Sequence, residues 1–105
     1  MVDFRVRDNF NDHPKVIGLP LDTIGLWTKA GAWCSRYLTD GYIPTDVLRI
    51  LGGKPRHIKQ LADHNLITPL GDGWQFVDWN QYQASREKIQ AQRAKWRDQW
   101  HRRDT

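Results

Sequence analysis

At 105 residues and 39% hydrophobic composition, the chain suits one small domain with a modest core. A single cysteine, Cys34, excludes an internal disulfide framework and a four-cysteine zinc site. The net charge of +4 resides in residues 86–105, which hold seven basic and three acidic residues, whereas residues 1–85 hold nine of each.

The chain shows neither a basic start followed by an apolar run nor an apolar stretch of about 18 residues. We therefore expect no signal peptide, no membrane span and a cytoplasmic protein.

The N-terminal half predicts one strand and one long helix. In "VDFRVRDNF" the apolar residues alternate with polar ones, which is typical of a half-buried strand. A turn-rich segment follows, and helical spacing of apolar residues then predicts a helix over 21–38 with Asp22 as its N-cap. Gly31 in its interior indicates a close crossing with another helix.

The next elements are short. Asp40-Gly41 predicts a turn, Tyr42-Ile43 a brief strand, and Thr45 the cap of a second helix that ends at Gly52-Gly53. Pro55 suits the first position of a third helix, over about 55–65, which buries an apolar stripe that includes Ile58 and Leu61.

Two strands, "LITPL" and "WQFVDW", flank the hairpin signal "GDG". A basic helix follows, with Ser85 as its cap. The order of elements predicts an α+β, mainly α fold: a winged helix-turn-helix over residues 1–84 with an N-terminal strand, and a basic C-terminal helix over 85–105.

The third helix carries the main functional hypothesis. No acidic residue occurs between Val47 and Ala62. In a winged helix the polar face would enter the major groove, with base contacts from Arg56, Lys59 and Gln60 and phosphate contacts from Arg49 and Lys54. The alternative is a solvated charged face on a domain that binds another protein.

The C-terminal helix leaves more choices open. Ile89, Trp96 and Trp100 form a sparse apolar stripe that would pack on the domain, on a second copy or on another protein. Arg93 and Arg97 on the same helix are candidates for phosphate contacts.

A catalytic, metal or cofactor site is not expected. "LGGKPR" lacks the spacing and the Ser or Thr of a phosphate-binding loop. His57 and His64 lie seven residues apart, which is too far for two zinc ligands on one helix face.

Several segments together resemble one protein family. They are "FNDHPKVIGL", "LWTKAGAWCSRYLTDGYIP", "LGGKPRHIKQLADHNLI" and "GDGWQFVDWNQYQASRE", followed by a basic helix. The chain resembles the N-terminal winged-helix domains of phage and prophage replication proteins of the replisome-organiser or replication-initiator type, especially those of actinobacterial phages. The resemblance implies double-stranded DNA binding in replication initiation or regulation, within the host cytoplasm.

Two features support a rival hypothesis. The hairpin tip carries an acid, Asp72, where many DNA-binding wings carry Arg or Lys, and the body of the chain has no net charge. The rival is a protein-interaction module that captures a replisome or host protein, or forms a homodimer, through Trp96 and Trp100.

Overall fold

The computed structural model describes residues 4–6, 10, 13–83 and 86–103, with side chains described at 4–6, 10, 13–80, 83 and 87–97. Five helices and three strands occur in this part of the chain: α1 Leu21–Tyr37, β1 Tyr42–Pro44, α2 Thr45–Ile50, α3 Pro55–Asp63, β2 Ile67–Leu70, β3 Gly73–Phe76, α4 Trp79–Tyr82 and α5 Arg86–Arg103. The predicted class is confirmed as a small, mainly helical α+β domain.

The three strands form one antiparallel sheet in the order β1-β3-β2. β3 pairs with β1 from Tyr42↔Gln75 to Pro44↔Gly73, and with β2 from Ile67↔Phe76 to Leu70↔Gly73. A two-residue turn joins β2 to β3, and Gly71 at its first position has a φ of 56°, as a type II′ hairpin turn requires.

The core lies between α1, α3 and the sheet. Its fully buried side chains include Ala30 and Cys34 from α1, Leu48 from α2 and Leu61 from α3, with Ile43 from β1. Helical and strand periodicity therefore direct the apolar residues to one interior, as the sequence predicts.

The α2–α3 connection is tight because of its two glycines. Gly52 has a φ of 97°, which favours glycine, and the Gly53 N–H donates to the Leu48 carbonyl at 2.8 Å. A Cβ on Gly53 would lie 2.8 Å from a methyl carbon of Leu26. Pro55 then begins α3, as predicted.

The predicted N-terminal strand is not formed at the described residues 4–6. The Arg5 N–H donates to the Gln83 side-chain oxygen at 2.9 Å, and the Gln83 amide donates to the Arg5 carbonyl at 2.7 Å. An amide side chain thus takes the place of a neighbouring strand. The rest of the predicted strand, at residues 2–3 and 7, lies outside the described residues.

Phe4 of this segment packs into an aromatic cluster with Trp27, Phe76 and Trp79, at centroid distances of 4.9, 6.1 and 5.9 Å. Its ring lies over Gly31, where a Cβ would overlap three ring atoms. The prediction that a helix crosses at Gly31 is therefore wrong, because a ring from the N-terminal segment occupies that space.

Three other local predictions are wrong. α1 has Pro20 rather than Asp22 at its N-cap position, and α2 has Pro44 rather than Thr45. The strand predicted over "WQFVDW" ends at Phe76, because Asp78 takes a φ of 59° and Trp79 begins α4. The predicted cap Ser85 lies outside the described residues.

Candidate nucleic-acid interface

α3 divides into a buried side and a charged side. Ile58 and Leu61 are 8% and 1% exposed and face the core. Arg56 and Lys59 lie on the exposed side, as predicted, together with Asp63. The first turn of α3 has no acidic residue of its own, so no carboxylate on α3 itself offsets the positive end of the helix.

His57 anchors the start of α3. Its side chain is buried, and its Nδ1 accepts a hydrogen bond from the Lys54 N–H at 3.0 Å. Nδ1 therefore carries no proton in this arrangement, and the Nε2–H donates to Oδ2 of Asp22 at 3.0 Å. One imidazole thus satisfies a backbone donor at the helix start and also ties α3 to α1.

Asp22 supplies a negative charge where α1 meets α3. Its Oδ1 accepts from the Thr23 N–H at 2.9 Å, and its Oδ2 lies 3.3 Å from a terminal nitrogen of Arg56. The hydrogen bond from His57, followed by the Thr23 N–H bond and the positive charge of Arg56, holds the pKa of Asp22 below its ordinary value of 3.8. The carboxylate therefore stays ionised and supplies, from α1, the anion that the first turn of α3 lacks.

Gln60 also contacts α1. Its side-chain oxygen accepts a hydrogen bond from the Thr23 hydroxyl, and Thr23 is fully buried. Bidentate recognition of adenine needs the amide oxygen and the amide nitrogen together. The bond to the buried Thr23 hydroxyl restrains the Gln60 amide, and this restraint disfavours the predicted base contact.

The two predicted phosphate contacts of the body are exposed. Arg49 is on α2, with a side chain 72% exposed and 3.7 Å from the Asp46 carboxylate. Lys54 occupies the position before α3 and is also exposed. Surface pairs such as Arg49–Asp46 contribute little to stability, so Arg49 remains available to an anion.

The β2–β3 hairpin ends level with the sheet. Gly73, the first residue after the turn, already pairs with Pro44 of β1. The Asp72 carbonyl accepts hydrogen bonds from the Thr45 N–H at 3.3 Å and the Thr45 hydroxyl at 3.0 Å. The tip is thus tied to the start of α2, and no basic side chain lies in the turn.

The exposure of the described side chains differs along α5. Ile89 is 6% exposed, whereas Trp96, two turns later, is 63% exposed. Arg93 and Arg97 are exposed on the same helix. The side chain of Trp100, the third predicted partner contact, lies outside the described residues.

Other kinds of site have less support. No three His, Cys, Asp or Glu side chains within the described residues are placed to hold a metal ion. No helix in that part of the chain is long and apolar enough to cross a bilayer. A cleft of about 170 Å³ lies beside the aromatic cluster and is lined mainly by apolar side chains, and we assign no ligand to this cleft.

Asp22 and Thr23 are the residues that sequence reasoning missed. They lie 35 and 37 positions before His57 and Gln60, their respective partners. No local pattern of capping or periodicity connects residues so far apart. The acid-free run after Asp46 is the one sequence signal that α3 needs an anion from elsewhere.

Comparisons with protein-family models, with curated proteins and with solved structures found no match for this chain.

Proposed function

We propose that the protein binds double-stranded DNA through α3, with the domain acting as a winged helix-turn-helix. The observation that carries the proposal is the pair of exposed basic side chains, Arg56 and Lys59, on one side of α3, a helix with no acidic residue in its own first turn. In chain order, a short turn at Gly52-Gly53 joins α2 to α3, and this order supports the helix-turn-helix assignment.

The roles of the basic residues differ. Arg56 and Lys59 would contact base edges in the major groove. Arg49 and Lys54, with Arg93 and Arg97 on α5, would contact phosphates. Gln60 is better assigned to the α1–α3 interface, because its oxygen is bonded to Thr23.

The hairpin contributes little to this DNA contact. It ends level with β1, and its tip carries Asp72, whose charge would oppose a phosphate. DNA binding is therefore assigned to α3 and to basic side chains outside the hairpin.

The test is fluorescence-anisotropy binding to mixed-sequence duplex DNA at two salt concentrations. Four phosphate contacts predict that the logarithm of the affinity falls with the logarithm of salt at a slope of about −3.6, which is roughly a hundredfold loss for a fourfold salt increase. Arg56→Ala with Lys59→Ala should remove most of the binding and leave the fold intact.

A matched control removes two positive charges elsewhere. Arg5 and Arg36 are both exposed, and Arg36 lies in the last turn of α1, far along that helix from Asp22. Arg5→Ala with Arg36→Ala should leave duplex binding nearly unchanged. Equal losses in the two double variants would mean that binding follows net charge rather than α3, and the absence of binding at low salt would refute the proposal.

The setting follows from the resemblance described above. We propose a role in phage or prophage replication initiation, or in regulation on the same scaffold. Selection of a preferred site from random duplexes, followed by a search for that site near a replication origin or a promoter, distinguishes these two roles.

One observation favours a second candidate, a protein-interaction module. Trp96 is 63% exposed on α5, and exposed Trp side chains are enriched at protein interfaces. In this hypothesis Trp96→Ala would abolish binding to a replisome or host protein, or would abolish homodimer formation. The same variant would leave the affinity for duplex DNA unchanged. The double variant Arg56→Ala with Lys59→Ala would have no effect on that capture.

A further inference from the structure

Where α1 meets α3, Arg56 pairs with an acidic side chain that is itself hydrogen-bonded to the buried His57. Arg56 lies 3.3 Å from Asp22, and Asp22 is itself fixed by the His57 Nε2–H at 3.0 Å and by the Thr23 N–H at 2.9 Å. We propose that Asp22 is a positioning residue that determines base specificity, because it holds Arg56 for the edge of a guanine. This inference rests on the proposed DNA-binding function.

Arg56 keeps its recognition capacity in this pair. A guanidinium has five N–H donors, and the contact with Asp22 uses one terminal nitrogen. The side chain remains 63% exposed, so a second edge of the fork stays open to a ligand. A guanine offers O6 and N7 as two adjacent acceptors, which match that edge. An arginine held in one orientation also loses less rotamer freedom on binding.

The charge of Asp22 selects a base rather than a phosphate. A phosphate at Arg56 would bring a second anion close to the carboxylate, and the two would repel each other. The edge of a guanine has no formal charge, so it meets no such repulsion. Lys54, which has no acidic partner among the described side chains, is better suited to a phosphate than Arg56.

The network around Asp22 differs from an ordinary surface pair. Arg49 and Asp46 on α2 are 3.7 Å apart, and their side chains are 72% and 89% exposed. Asp22 is 48% exposed and is bonded to His57, whose side chain is 8% exposed. Asp46→Asn is therefore a matched control. It removes the negative charge beside Arg49, which belongs to a longer and more exposed ion pair.

The experiment begins with selection of preferred duplexes by the full-length wild-type protein. The same selection with Arg56→Lys identifies the base pair that Arg56 contacts. That base pair is the one at which the variant no longer prefers guanine, because lysine lacks the two-donor fork of arginine. Affinities for the preferred duplex and for duplexes altered at that position are then measured for Asp22→Asn and Asp46→Asn. The Asp22→Asn side chain keeps an oxygen that accepts the His57 bond, and thermal unfolding checks the fold. Asp22→Ser serves as a second variant if Asp22→Asn is unfolded.

We expect the wild type and Asp46→Asn to prefer guanine by about tenfold or more, as a bidentate arginine contact provides. Asp22→Asn should bind duplex DNA but prefer guanine less than about threefold at that position. A retained preference in Asp22→Asn overturns the inference, as does an equal loss in Asp46→Asn or a wild type that binds duplex without any base preference. A wild type that binds no duplex overturns the proposed function, and the inference with it.

Discussion

Two glycines in α1 should respond in opposite ways to alanine. A Cβ on Gly25 meets nothing within 4 Å, whereas a Cβ on Gly31 would overlap the ring of Phe4. Both positions lie inside a 17-residue helix, where glycine costs up to about 1 kcal/mol relative to alanine. Gly25→Ala should therefore stabilise the protein by about 0.5–1 kcal/mol.

Gly31→Ala gains the same helix propensity but displaces Phe4. Phe4 is half-buried and contacts Trp27, Phe76 and Trp79, so loss of its packing should cost about 1–2 kcal/mol. The net effect of Gly31→Ala should be a loss of between zero and about 1.5 kcal/mol. The two alanine variants should thus differ in stability by about 1–2 kcal/mol.

The assay is thermal and urea unfolding of both variants in the wild type and in Phe4→Ala. Once the ring is absent, Gly31→Ala should become stabilising, as Gly25→Ala is in both backgrounds. A change of about 1 kcal/mol corresponds to roughly 4–8 °C in a domain of this size. If Gly31→Ala stabilises the wild type as much as Gly25→Ala does, the Phe4 ring does not lie over Gly31 and the reasoning is refuted.

Three further predictions concern buried or bonded polar groups. Cys34 is fully buried, which raises the pKa of its thiol to about 11, so a thiol reagent should label the native protein orders of magnitude more slowly than the urea-unfolded protein. Because the pKa of Asp22 is lowered in the fold, its ionised form stabilises the native state. The difference in unfolding free energy between wild type and Asp22→Asn should be full above the ordinary pKa and should shrink as the pH falls below it toward the lowered value. Urea unfolding from neutral to acidic pH measures this difference, and a difference that grows on acidification contradicts the prediction. Gln60→Ala leaves the buried Thr23 hydroxyl without its acceptor, and it should lower the free energy of unfolding by about 1–3 kcal/mol. The DNA site selected by this variant should be unchanged. A lost adenine preference at unchanged stability would instead show that Gln60 contacts a base.

Local chemistry in the sequence predicts much of the fold. Pro55 begins α3, Gly52-Gly53 forms the turn before it, and Gly71 with a φ of 56° forms the hairpin. Asn65 takes a φ of 59° after α3, as expected for a helix end. Each of these residues acts on the backbone within a few positions of itself, so its effect is visible in the sequence.

The wrong predictions share a different cause. The alternation of "WQFVDW" continues past Phe76, yet Asp78 turns the backbone with a φ of 59° and Trp79 enters α4. Gly31 indicates a close neighbour, but spacing alone does not identify Phe4 as that neighbour. These outcomes depend on contacts between distant segments, which local periodicity does not encode.

The candidate site follows the same division. The sequence places Arg56 and Lys59 on the polar face of α3, and both are exposed there. Their partners are set by the packing of α1 against α3, which brings Asp22 to Arg56 and Thr23 to Gln60. Sequence reasoning therefore finds the basic residues but not the acid that restrains one of them.

The central claim, that α3 contacts duplex DNA, is tested most directly by titrating the ¹⁵N-labelled protein with a short duplex and following its backbone amide resonances. The account predicts that the largest shifts cluster at residues 54–59, with smaller shifts at Arg49 and at Arg93 and Arg97. Shifts confined to α5, or to the hairpin around Asp72, would contradict the claim.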